Sequence, residues 1–201
     1  MQLIGKAALI VIDVQKASEG EGDFGIPLMA GGPERVELTR RLVAAARAAG
    51  IPPVFIQEVH KRTLVDFGRE LDGTETVHCL EGDEATELAT GLEPLPDEYH
   101  IPKRRYSAFF ATELELVLKS LRVETLVLVG ALTDVCVHYT FADAHQHDYH
   151  LRVVTDCVGG SSVEAHDASL RAMRYLQRDC WCTTDEVLEA FAALAPAGVA
   201  A

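Results

Sequence analysis

Six short apolar runs divide this chain, and most of the intervals between them carry helical spacing. Residues 7–12, 52–59, 99–102, 125–129, 151–155 and 181–183 are the runs. The first, AALIVI, has no polar residue to face water, so it reads as a strand buried on both faces. Between the runs, Pro33 opens a helix whose stripe is Val36, Leu42, Val43 and Ala46, and Gly50 stops it. Thr112 caps a helix over 113–121, with Leu114, Val117, Leu118 and Leu121 facing inward. Further helices are expected over 135–148, over 164–177 behind Ser162, and over 184–194. A short helical piece is expected at 83–89, inside a polar excursion running from 60 to 97. Strand alternating with helix dictates a parallel sheet covered on both faces. The fold class is therefore α/β, a Rossmann-like three-layer sandwich.

The 201 residues suit one domain, 1–201, ending in an Ala-rich tail over 196–201 that is expected to fray. With 48% hydrophobic residues the chain can bury a sizeable core. A formal net charge of −13 argues against nucleic acid and anionic membrane surfaces as partners, since both require a basic footprint. No apolar run approaches the roughly 18 residues of a membrane span, and no basic segment followed by an apolar one marks a signal peptide. Five cysteines, an odd number without scaffold spacing, point to free thiols and a cytoplasmic setting.

In open parallel sheets, ligands bind beyond the carboxyl ends of the strands. That rule selects Asp13 after the first run, Lys103 after the third and Cys136 just past the fourth. Cys136 opens a helix, where free backbone N–H groups favour a thiolate. A lysine about 4 Å away in a partly screened site supplies on the order of 4 kcal/mol. Lowering a thiol pKa by about two units takes roughly 2.7 kcal/mol, so Lys103 alone suffices to activate the cysteine. Asp13 can take the thiol proton and return it to a leaving amine, with N–H groups of the turn 132–136 facing an oxyanion.

Three segments carry a family resemblance: Leu9-Ile10-Val11-Ile12-Asp13-Val14-Gln15, Lys103-Arg104-Arg105-Tyr106-Ser107-Ala108-Phe109 and Gly130-Ala131-Leu132-Thr133-Asp134-Val135-Cys136-Val137. In order and spacing they resemble the signature segments of the isochorismatase-like cysteine hydrolases, which include nicotinamidases and N-carbamoylsarcosine, biuret and ureidoacrylate amidohydrolases. The resemblance implies a six-stranded parallel sheet and a triad of Asp13 as base, Lys103, and Cys136 as nucleophile. It also implies a cis peptide at Ala131–Leu132, which aims the N–H groups of Leu132 and Cys136 into an oxyanion hole. The expected reaction is C–N hydrolysis of a small amide, ureide or carbamoyl compound through a thioester. Isochorismatase-type ether cleavage shares the Arg-Tyr-Ser-Ala-Phe string but lacks this cysteine. Nicotinamidase activity and a catalytically silent scaffold are the remaining alternatives.

Tyr106 and Phe109 are expected to wall the substrate pocket, with Phe24 from the loop 18–32 as its cap and His60 as a further contact. Glu58 and His60 stand where nicotinamidases begin a zinc site, but residues 61–70 offer no further histidine, and two ligands make a poor site. No metal and no cofactor are therefore expected. His78 reads as packing, and His145, His147 and His150 share no helix face. Family resemblance suggests a homodimer or homotetramer acting on a small molecule.

Overall fold

A computed structural model describes residues 1–195 apart from Glu21 and Asp23. The tail over 196–201 lies outside the described residues. Six strands form one sheet: β1 (Lys6–Ile12), β2 (Pro53–Glu58), β3 (Tyr99–Lys103), β4 (Val123–Ala131), β5 (His150–Gly159) and β6 (Trp181–Cys182). Their order is β3-β2-β1-β4-β5-β6, and every pairing is parallel. Five helices cover it: α1 (Gly32–Ala48), α2 (Leu114–Leu121), α3 (Cys136–Gln146), α4 (Val163–Leu176) and α5 (Thr184–Ala192). This is the three-layer α/β sandwich that alternation requires. Among the described residues, no helix is long and apolar enough to cross a membrane.

Strand pleating splits the core in two. From β1, Ala8, Ile10 and Ile12 pack with residues of α2, α3 and α4, including Leu118, Phe141 and Met173. Ala7, Leu9 and Val11 face the other way, against Val36 and Leu42 of α1 and Phe191 of α5. Burial on both faces explains why the first run lacks alternation. Helix starts follow the sequence as well. Ser162 accepts the Ala165 N–H, and Thr183 forms a reciprocal capping box with Glu186.

Three local expectations change. β5 extends four residues beyond 155, because Asp156 does not end the strand. Its Oδ1 instead accepts the Thr184 N–H at 2.8 Å and caps α5. The helical piece expected at 83–89 is a single 3-10 turn, Glu84–Thr86. Helical spacing over 164–177 sets Leu170, Met173 and Leu176 on one inward face, but only Leu170 and Met173 are buried and Leu176 is solvent-exposed.

One glycine is dictated by close approach. Gly130 has φ +115°, and a Cβ there would lie 1.9 Å from the Ile12 carbonyl oxygen of the neighbouring strand. The chain thus leaves β4 through a turn that no side chain would permit, and the Ala131–Leu132 peptide that follows is cis.

Candidate active site

Asp13, Glu58 and Lys103 lie at the carboxyl ends of the adjacent strands β1, β2 and β3, and Cys136 opens α3 after β4. Four neighbouring strands therefore deliver one group of side chains. The Lys103 ammonium is fully buried and sits 2.8 Å from Asp13 Oδ2 and 2.9 Å from Glu58 Oε2. It also donates to Cys136 Sγ at 3.3 Å. Asp13 has φ +50°, and its Oδ1 accepts the Glu58 backbone N–H at 2.7 Å, which fixes the carboxylate. Among the described residues, the backbone N–H groups of Leu132 and Cys136 donate no hydrogen bond, whereas the Leu132 carbonyl accepts from Val135 and Val137. Two donors beside the thiol remain available to a ligand.

Charge counting alters one expectation. One ammonium faces two carboxylates, so its charge is already compensated before the thiol is considered. Burial opposes the Lys103 ammonium, but Asp13, Cys136 and Glu58 outweigh burial and hold its pKa well above the ordinary range. Burial also opposes ionised Glu58, yet Lys103 and the donors His60 and His78 keep its carboxyl well below the usual range. For Cys136, burial dominates, and Asp13 and Glu58 add to it against Lys103, so the thiol is pushed well up. Burial and the two carboxylates thus work against the lysine-driven thiolate expected from sequence. The sequence reading omitted the second carboxylate on Lys103. Asp13, desolvated by burial despite Lys103, is raised to about 6.

Cys136 opens onto a cavity of about 340 Å³ whose walls include Phe24, Ile26, Val77, Tyr106, Leu132 and Val135. Phe24 and Tyr106, expected as a cap and a wall, both line this cavity. Phe109 does not. After Ser107 the chain turns inward, the Ala108 N–H donating to Thr140, and the Phe109 ring stacks on His147 at 5.2 Å. His60 also misses the cavity. It is fully buried beneath Glu58 and stacked on Phe67 at 4.0 Å.

His60 belongs instead to a second cluster. Its Nε2 lies 3.3 Å from Glu58 Oε1 and 3.2 Å from Glu70 Oε2, while His78 Nε2 lies 2.9 Å from the same Glu58 oxygen. Ligand atoms of Glu58, His60, Glu70 and His78 all fall within 4.8 Å of one another. Glu70 and His78 thus join the two residues counted from sequence, and His78, read as packing, also meets the Phe67 ring edge-on. The excursion doubles back, with His60 bridging Leu80, so His78 returns beside Glu58 across twenty residues. Both Glu70 oxygens are buried without a hydrogen-bond partner among the described residues. Two imidazoles and two carboxylates fit a divalent cation such as zinc. Without one, burial works against the His60 imidazolium, but Glu58 and Glu70 outweigh it and raise its pKa to about 9. Zinc added to metal-free protein is expected to raise its melting temperature in calorimetry, and His78→Ala to remove that rise. Identical melting curves would mean that protons and hydrogen bonds alone hold the cluster.

The Isochorismatase domain family matches residues 7–186, a span containing all of these groups. The chain belongs to the isochorismatase family. Among its relatives, a ureidoacrylate amidohydrolase of Pseudomonas savastanoi pv. phaseolicola is 31% identical over 76% of this chain and 70% of its own. An Arabidopsis thaliana protein described as a probable inactive nicotinamidase is 34% identical, covering 83% of this chain and 87% of its own. The crystal structure of an isochorismatase-like hydrolase from Alkaliphilus metalliredigens superposes with a TM-score of 0.80 at 29% identity, over 93% of this chain and 100% of that one. In this isochorismatase-family hydrolase, Glu58 joins the group of Asp13, Lys103 and Cys136 to the histidine cluster. Glu58 was discoverable, since it ends a strand as Asp13 and Lys103 do. Glu75 and Gln15, also in the cavity wall, carry no such positional signal.

Proposed function

We propose that this isochorismatase-family hydrolase cleaves C–N bonds of small amides, ureides or carbamoyl compounds through a thioester on Cys136. The observation that carries the reading is the contact of Cys136 Sγ with Lys103 Nζ at 3.3 Å, in a group that includes an Asp13 raised to about 6. Sγ attacks the carbonyl carbon while its proton passes to Asp13, and the carbonyl electron pair moves onto oxygen. The N–H groups of Leu132 and Cys136 receive that oxyanion. As the oxyanion collapses, the C–N bond breaks and Asp13 returns the proton to the leaving nitrogen. Water then attacks the thioester, giving its proton to Asp13. The C–S bond breaks, Sγ recovers the proton and the acid departs. Lys103 holds both carboxylates and steadies the negative charge that passes through the sulfur.

Ammonia release from biuret, N-carbamoyl amino acids, ureidoacrylate, nicotinamide and simple amides tests this reading, and no release from any of them would sink it. The pH profile tests the base. Asp13 must be deprotonated to accept the thiol proton, so kcat/KM is expected to be level above its pKa of about 6 and to fall about tenfold per pH unit below it. A rate that rises on acidification would assign the proton transfer elsewhere.

The four-residue cluster favours a second reading, a metal-assisted amidase of the nicotinamidase kind. A cation held by Glu58, His60, Glu70 and His78 would supply Lewis acidity beside the thiol. Loss of ammonia release on chelation, restored by zinc, distinguishes it.

A further inference from the structure

Four acids line the cavity beside Cys136, namely Asp13, Glu58, Glu75 and Asp83, and among the described residues no lysine or arginine lines it. Three of the four are engaged. Asp13 and Glu58 hold Lys103, and Asp83 pairs with Arg62. Glu75 is half-buried and, among the described residues, forms neither an ion pair nor a hydrogen bond. It also lines the adjoining outer hollow with Arg69, and that guanidinium is already paired with Asp72 at 2.6 Å. Burial raises the Glu75 carboxyl above its ordinary value, as befits an acid held in an apolar wall without a partner. Val77 and Tyr106 line the same cavity of about 340 Å³ as Glu75 and Cys136, so an apolar body can share it with both groups.

Among the described residues, Glu75 is an acceptor with no donor in a cavity whose one imidazole, His78, is already paired with Glu58, and that specifies the charge of what enters. We propose that Glu75 is a specificity-determining residue, its carboxylate receiving a protonated amine that the substrate carries at the end remote from the scissile amide. Cationic amides are favoured over neutral ones, and carboxylate-bearing amides are rejected. A bound ammonium gives the half-buried carboxylate a partner, while a bound carboxylate would add a fifth acid to four. This inference rests on the amide-hydrolase reading for the orientation of the substrate.

Binding tests it apart from turnover. Calorimetry on Cys136→Ala protein would compare γ-aminobutyramide, valeramide and glutaramate, which share a chain and differ in their remote group. The amine is expected to bind roughly ten- to a hundredfold more tightly than valeramide, the range of a charge-assisted hydrogen bond. Glutaramate and ureidoacrylate, both anions, are expected to bind most weakly. Glu75→Gln in the same background should abolish the preference for the amine, and Glu75→Lys should reverse it toward glutaramate. A preference unchanged by Glu75→Gln, or glutaramate binding as tightly as the amine, overturns the proposal. Either failure leaves the hydrolase reading standing, because no turnover is measured. Absent ammonia release from the unaltered protein would fail that reading and leave the charge preference intact.

Discussion

Cys136→Ala protein is expected to fold normally and to lose ammonia release, with kcat/KM lowered by at least about 10⁴-fold. The thiol is the atom that forms the proposed covalent bond, so no neighbour can replace it by moving slightly. Cys79 also lines the cavity and provides the control. Cys79→Ala should retain turnover, since nothing places an ammonium or a base on that sulfur. Stability should change little in Cys136→Ala. Removing one sulfur from a buried wall typically shifts folding by about 1 kcal/mol, here including the weak hydrogen bond that the thiol donates to Glu58 Oε2 at 3.5 Å. Intact-mass spectrometry of the unaltered enzyme quenched during turnover should show an acyl adduct that the variant lacks. Activity surviving in Cys136→Ala would overturn the thioester route outright.

Lys103→Met should fail differently, losing stability as well as turnover. The ammonium is the shared counter-charge of Asp13 and Glu58, and methionine leaves two buried carboxylates side by side. Breaking a buried ion pair in this way typically destabilises by about 3–5 kcal/mol. For a chain of this size that corresponds to a melting temperature lower by roughly 10 °C. The sign of the pH effect follows. Without Lys103, both carboxyls are raised, so protonation in acid relieves the repulsion and the gap from the unaltered protein narrows as pH falls. Denaturation at acid and neutral pH measures that gap. Adding Glu58→Gln to Lys103→Met should recover much of the stability and none of the turnover. A Lys103→Met protein as stable as the original at neutral pH would mean that the carboxylates have found other partners.

The alternation of buried runs and helical spacing made the sheet legible, because parallel strands covered on both faces cannot be built from residues that face water. The positions of Asp13, Lys103 and Cys136 followed from the same logic of strand ends. What the sequence hid is held by the long excursion between β2 and β3, whose few regular features are two 3-10 turns and isolated bridges. Periodicity says nothing about such a segment, so its return to Glu58, which brings Glu70 and His78 under the site, could not be read from spacing. Phe109 was misplaced for a related reason. An aromatic near Lys103 in sequence can point into a core as readily as into a pocket, and only the turn after Ser107 decides. Glu58 was different, since its strand-end position was in view and its second contact, with Lys103, was not counted.

The lysine with two carboxylates has a consequence for the lifetime of the enzyme. Thiols that rest as thiolates are the ones peroxide converts to sulfenic and then irreversible acids. Burial, with the two carboxylates that share Lys103, disfavours the thiolate of Cys136. Acting as the proposed nucleophile, Cys136 would meet passing oxidants mainly as the less reactive thiol, its electrons drawn out by the substrate carbonyl.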